Sequence, residues 1–475
     1  MRLARRSLAI LALLAPVRSA AAQSTARDTL VYSVAIAPTD PHLTIEARLT
    51  ASAPGVVVLV APPASGPAGT TVTGLAASDD RGGALVVTRA SRTWTVVVPV
   101  AGAVRFRYRL DINRRTADGS TGSGLDSTHF YAVTRSLFVA PDPTALRKSG
   151  RPYPVVGVQV LPPDGWRVLA GWSGRDNAFT PRDGDDLLGA TLAAAPDFRV
   201  YEGRVANTDW QLAIRGRRYF ADSSLAAAIR ASLSRGAAAL GPVPVAKVAF
   251  TSDLGRKGRT SGSLQGLSSV GLIWEPSEVL ETARLHDLFH ETLHLWFGGE
   301  METERWWIEG VTDYMAARLY SGWQERPEEL AFLCYQSLRN YQAIEHNTSL
   351  TMTQENRRHM GGDNTELLVY RKGMLAGLLL DAAIRNGSGG RKTLDDVSRR
   401  LLQTAAHRQS RLLRETEVRD VAVQEGGPGV QAVWTRVVDG TELLTEDDVA
   451  NALAVVTGRR FAPPPLAKAH KELSR

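Results

Sequence analysis

The chain has 475 residues, with 56 Lys and Arg against 49 Asp and Glu, 44 % apolar residues and a single cysteine, Cys334. That length gives two or three domains with room for a full core, and one cysteine excludes a scaffold stapled by intramolecular disulfides. The formal charge of +7 falls to +3 without residues 1–22, which carry four arginines and no acid, so no nucleic-acid partner is implied.

Residues 1–22 read as an export signal. Arg2, Arg5 and Arg6 form a positive start, residues 8–15 are a short apolar run, and Ala20-Ala21-Ala22 supplies the small residues before a cut expected after Ala22. The run falls far short of the ~20 apolar residues that a membrane span needs, so the mature chain is expected to keep no membrane anchor. An exported chain without disulfides is expected in a bacterial periplasm, or secreted.

Residues 23–205 alternate short β-branched runs with Gly, Pro, Asp and Ser. The run Val104-Arg-Phe-Arg-Tyr-Arg-Leu110 alternates strictly, and the pattern predicts a β-sandwich-like domain. From residue 206 the composition shifts. A helix is expected over 225–240 and strands over 245–251 and 269–274, with a Gly/Ser/Arg-rich loop, 254–266, between the two strands. A further helix is expected from an N-cap at Ser277 to Gly298-Gly299, another from near Trp307, and a third after Pro327. A fourth covers 367–385, ended by Asn386-Gly387, and Thr393 caps a fifth with Leu394, Val397 and Leu401 on one face. The class is therefore α+β: a β domain to residue 205, a mixed α/β lobe over 206–320, a helical lobe over 321–462 and a polar tail over 463–475.

The chemistry gathers in the second lobe, at His290-Glu291-Thr292-Leu293-His294. Histidines four apart share one face of a helix and can take two corners of a Zn²⁺ tetrahedron. Glu291, one step round, leans toward the same metal and can take a proton from its water. Chance alone supplies this pattern in roughly one such chain in a hundred, so it needs support from residues downstream. Twelve positions after His294 comes Trp306-Trp307-Ile308-Glu309-Gly310, with Asp313 four beyond Glu309. Glu309 closes the ligand set, and Asp313 is expected to hold a ligand imidazole by its other N–H. His286 extends the histidine series, but two helical turns, about 12 Å of rise, separate it from His294, too far for one ion.

These residues resemble the gluzincin metallopeptidases: the HETLH turn, then Trp306 to Gly310, then Tyr314. The stretch YRKGMLAGLLLDAAIR at 370–385, the run TLDDV at 393–397 and the earlier Pro163-Asp164-Gly165-Trp166 are similar to the glycyl aminopeptidase family. The resemblance implies a thermolysin-like catalytic domain behind an N-terminal β domain, with Zn²⁺-dependent hydrolysis of peptides that favours amino-terminal Gly or Ala. By position it makes His290, His294 and Glu309 ligands, Glu291 the base, and Tyr370 the group that stabilises the oxyanion. Three departures accompany it. The residues after 456 are too few for the PDZ domain that such proteins commonly carry, and the spacer from His294 to Glu309 is shorter than usual. Where related aminopeptidases hold the substrate's amino group with a glutamate, this chain has Gly262-Ser263-Leu264-Gln265-Gly266, which implies a relaxed demand for a free amino terminus. The same residues also suit a zinc hydrolase of another acyl or epoxide substrate, or a non-catalytic binding protein on the same fold.

Overall fold

The computed structural model describes residues 28–40, 42–61, 71–112, 124–254, 261–264, 267–275, 277–344, 349–354, 366–408 and 410–465. It has the α+β layout expected: sheets first, helices after. In the N-terminal part, a seven-stranded sheet centred on Thr29–Ala35 and His42–Ala51 shares one core with a four-stranded sheet built on Gly55–Val60 and Thr93–Val98. The alternating run behaves as its pattern requires: Val104, Phe106, Tyr108 and Leu110 are buried, and Arg105, Arg107 and Arg109 face outward.

A third sheet joins the two halves of the molecule. Its strand Thr191–Ala195 is buried at every position. Leu192 and Ala194 enter the N-terminal core, while Ala193 and Ala195 meet Phe198, Ala213 and Ala249 on the other side. A strand covered on both faces has no polar side, and its small residues let the layers close up. The hydroxyl of Ser269 accepts from the Thr191 N–H at 2.9 Å and ties this sheet to the next.

That next sheet runs in the order Arg199–Val205, Thr208–Ile214, Lys247–Leu254, Ser269–Trp274, Ser261–Leu264, with parallel pairing in the middle and antiparallel edges. It takes in Arg199–Val205, which the sequence pattern groups with the preceding strands, because that segment hydrogen-bonds to Thr208–Ile214 along its whole length. The expected loop at 254–266 contains the edge strand Ser261–Leu264; small polar residues carry little strand signal, and pairing to Ser269–Trp274 decides it. The helix of His290 and His294 begins at Thr282, after Glu281, and not at Ser277. Residues 277–281 form turns instead, and Arg284 reaches back to Glu278 at 3.0 Å.

The long helix Glu366–Ser388 is the centre of the helical lobe, and glycines mark where other backbones cross it. A methyl on Gly373 would lie 2.7 Å from the Trp306 carbonyl oxygen and 2.9 Å from the Cα of Gly310. One on Gly387 would lie 1.9 Å from the carbonyl oxygen of Gly426. Gly387 is thus a crossing point and not the expected stop; the helix ends one residue later, before Gly389 and Gly390, whose φ values of +61° and +79° favour glycine. Thr393 caps the helix Leu394–Arg408 as its sequence indicates, with Leu394, Val397 and Leu401 buried. Among the described residues no helix is long and apolar enough to cross a membrane.

Gly373→Ala should lower stability by ~1–3 kcal/mol, as overpacking does, and lower the denaturation midpoint at unchanged m. Gly429→Ala, in the helix Pro428–Val433 with nothing within 4 Å of its would-be methyl, should be neutral or slightly stabilising under the same measurement.

Candidate metal centre

The helix Thr282–Leu293 buries Leu285, Leu288, Phe289 and Leu293 in the main core, which turns His286, His290 and Glu291 toward the helices after it. His294 is its C-cap, still in the right-handed helical region. The chain then reverses at Gly298, whose φ is +87°. The short connector to Glu309 is clasped by the C-terminal lobe: Glu302 N–H donates to the Arg411 carbonyl at 2.7 Å, Leu413 N–H to the Glu302 carbonyl at 2.8 Å, and the Arg411 guanidinium to Gly299 O at 2.8 Å.

Glu309 sits in a π-helical turn, Trp306–Val311, which runs into the α-helix Thr312–Gln324. A wide turn of this kind inserts one residue and re-aims a side chain, and such turns cluster at functional sites. Its anchors are Trp306 and Trp307, both fully buried, with the Trp306 indole donating to Glu415 at 3.0 Å. Gly310 packs on Gly373 without a Cβ on either side, which brings Glu309 beside Tyr370 on the long helix.

The three expected ligands converge. His290 Nε2 and His294 Nε2 are 2.9 Å apart, and Glu309 Oε2 lies 3.4 Å from the first and 3.3 Å from the second. A zinc tetrahedron with arms of ~2.0–2.1 Å spaces its donor atoms roughly 3.3–3.4 Å apart, so the triangle has the right size. His294 Nδ1 lies 3.0 Å from the Phe297 carbonyl and donates to it, and His290 Nδ1 lies 2.9 Å from Asp313 Oδ1, somewhat off the N–H line. Both Nε2 atoms therefore present lone pairs, and Glu309 Oε2, buried, has no hydrogen-bond donor among the described residues. Three lone pairs facing one point fit a cation.

The electrostatics agree. Burial works against a charge on His290, yet Asp313, Glu309 and Glu291 raise its proton affinity well above the ordinary value. Glu309 is held far below the carboxylate range: burial pushes it up, and the two imidazoles outweigh that. Asp313 goes to about 2, with burial overcome by His290, His286 and Arg371. His286 is buried and reaches the carbonyl oxygen of Asp313 at 3.1 Å, away from the three donors.

Glu291 is raised by burial above its usual carboxyl value. Burial, then the neighbouring Glu309, pushes the Tyr370 phenol up. The Tyr370 ring stacks on His290 at 6.0 Å, on the side of the site where Glu309 stands. Glu291, His290 and Tyr370 border a cavity of about 370 Å³ that extends to Gln336 and Asn340 on the helix Pro327–Gln342. Gln265, and with it Arg256, Lys257 and Arg259 of the Gly/Ser/Arg-rich loop, lie outside the described residues. Two arginines join the site without having been read from the sequence: Arg305, 2.7 Å from Glu309 Oε1, and Arg371, 3.4 Å from Asp313 Oδ2. Arg305 stands four residues before Glu309, the spacing of a helical ion pair, and that was the available signal.

No protein-family model and no curated protein sequence matches the chain. Its likeness to known proteins is structural. An aminopeptidase N family protein from Idiomarina loihiensis superposes with a TM-score of 0.74 at 17 % identity, over 88 % of this chain and 77 % of that one. The M1 zinc metallopeptidase from Deinococcus radiodurans gives 0.57 at 16 %, over 88 % and 94 %. The fold is that of the M1 zinc metallopeptidases.

Metal analysis of the purified protein should find about one Zn²⁺ per chain, lost in the double variant His290→Ala/His294→Ala. Full occupancy in that variant would remove the assignment.

Proposed function

We propose that this chain is an exported zinc metallopeptidase that hydrolyses peptides, favouring amino-terminal Gly or Ala, with a relaxed demand for a free amino terminus. One observation carries the reading: three lone-pair donors converge beside Glu291 and Tyr370 at the wall of a cavity, on an M1 metallopeptidase fold. A peptide substrate is supported by the Deinococcus radiodurans protein, a variant of which was solved with a Tyr-Ser-Ala substrate. The small-residue preference rests on the likeness of 370–385 and 393–397 to the glycyl aminopeptidases. Export rests on residues 1–22, and a periplasmic or secreted location on those residues together with a chain that cannot form an internal disulfide.

His290, His294 and Glu309 would hold Zn²⁺, which when bound supplies a Lewis acid for the scissile carbonyl and acidifies a water. Glu291 takes the proton from the attacking water and passes it to the leaving amine; its upward shift brings it nearer the working pH of a general base. Tyr370, kept protonated by its raised pKa, donates a hydrogen bond to the developing oxyanion. Asp313 and the Phe297 carbonyl hold the two imidazoles in the tautomer that turns Nε2 inward. Gln265 replaces a charged acceptor for the substrate's ammonium group with a neutral one, where a charge-assisted bond is worth ~1.5–3 kcal/mol.

Glu291→Gln should keep its zinc and lose kcat by ~10²–10⁴; loss of zinc would make that carboxylate a ligand instead. Tyr370→Phe should lower kcat by ~10²–10³ at nearly constant KM, and an unchanged kcat returns the ring to a packing role. For Gln265, kcat/KM on an Ala-Ala chromogenic substrate with and without an acetyl cap should agree within about tenfold. A preference above ~10³ for the free amine would mean that another acidic group supplies the anchor.

A further inference from the structure

The three donors are each held from behind, and the hold on Glu309 is of a different kind from the other two. Its two oxygens do different things. Oε2 faces the imidazoles at 3.4 and 3.3 Å, while Oε1 meets the Arg305 guanidinium at 2.7 Å. Arg305 is the last residue before the π-helical turn and is itself helical, so its side chain lies one turn back and reaches over the turn to the carboxylate. The acceptor is buried, with its side chain 6 % exposed, while 39 % of the arginine side chain is exposed.

A free carboxylate has two equivalent oxygens. Rotation exchanges them, and a metal can take either or both. We propose that Arg305 is a positioning residue of the metal site: by holding Oε1 it leaves Oε2 as the single donor and keeps Glu309 monodentate. Arg371 stands in a similar relation to Asp313, taking Oδ2 while Oδ1 faces His290. The inference rests on His290, His294 and Glu309 being metal ligands, as the proposed function has them. Exposed ion pairs contribute little as a class, but this one is short, charge-assisted and ends on a buried acceptor.

Two effects of removing Arg305 have opposite signs, which makes the test decisive. A cation beside a dication repels it, so by charge alone Arg305→Met should tighten zinc binding. If Arg305 positions the ligand, its loss lets Glu309 turn, and binding weakens. The experiment is competition for Zn²⁺ between a chromogenic chelator and the full chain, as wild type, Arg305→Met and Arg305→Lys. Positioning gives a ~10–100-fold weaker affinity for Arg305→Met, the range for residues that orient metal ligands. Arg305→Lys should lose less, because an ammonium restores the charge but not the planar fork. In the Co²⁺-substituted protein, the visible bands of Arg305→Met should also weaken as the carboxylate goes bidentate and coordination expands. An affinity for Arg305→Met equal to or tighter than wild type overturns the inference and leaves the metal site standing. A wild type that binds no zinc overturns the metal reading itself, which is a separate result. The metal-free Tm shows whether the methionine variant still folds. Should it not, the lysine variant decides: it must bind zinc more weakly than wild type, and equal binding overturns the proposal.

Discussion

Mutual repulsion of three lone pairs is the constraint that the site's surroundings withstand. Two imidazole nitrogens and a carboxylate oxygen, all on buried side chains, stand within 3.4 Å of one another. Left to themselves these groups would turn away from one another. Each is prevented by a contact on its far side: Asp313 behind His290, the Phe297 carbonyl behind His294, and Arg305 behind Glu309. The low local dielectric that makes the arrangement costly without a cation makes it a strong site with one.

Such a site needs rigid backbones, and the chain supplies them by bringing helices unusually close. Gly310 and Gly373 remove both Cβ atoms where the π-helical turn meets the long helix, so Glu309 and Tyr370 share one surface. Nearby, the buried Asp381 accepts from the Tyr314 hydroxyl at 2.6 Å and the Leu394 N–H at 2.8 Å, with Arg385 at 3.2 Å. That one carboxylate joins the helices Thr312–Gln324, Glu366–Ser388 and Leu394–Arg408. Among the described residues, none from the N-terminal sheets is one of the three donors or borders the cavity. They connect through the strand Thr191–Ala195 to the sheet whose edge strand, Ser261–Leu264, packs beside the helix Thr282–Leu293.

The amino-acid sequence by itself determined the elements with strong local periodicity and singled out His290, His294 and Glu309, the side chains that converge. Alternation made Val104–Leu110 a half-buried strand, apolar spacing made Leu394–Arg408 an amphipathic helix, and a four-residue interval set His290 and His294 on one face. These are properties of a few neighbouring residues, and the chain's own pitch enforces them. The tertiary structure alone decided the rest. It made residues 306–311 a π-helical turn, carried the long helix through Asn386-Gly387, turned Ser261–Leu264 into a strand and set Arg305 on one oxygen of Glu309. In the first three, the deciding partner lies elsewhere in the chain: Gly373 for Gly310, Gly426 for Gly387, and the neighbouring strand for 261–264. For Arg305 the partner is close by, but the choice of oxygen depends on the imidazoles that claim the other one. No window of local sequence contains that information, because packing and mutual exclusion in a filled interior create it.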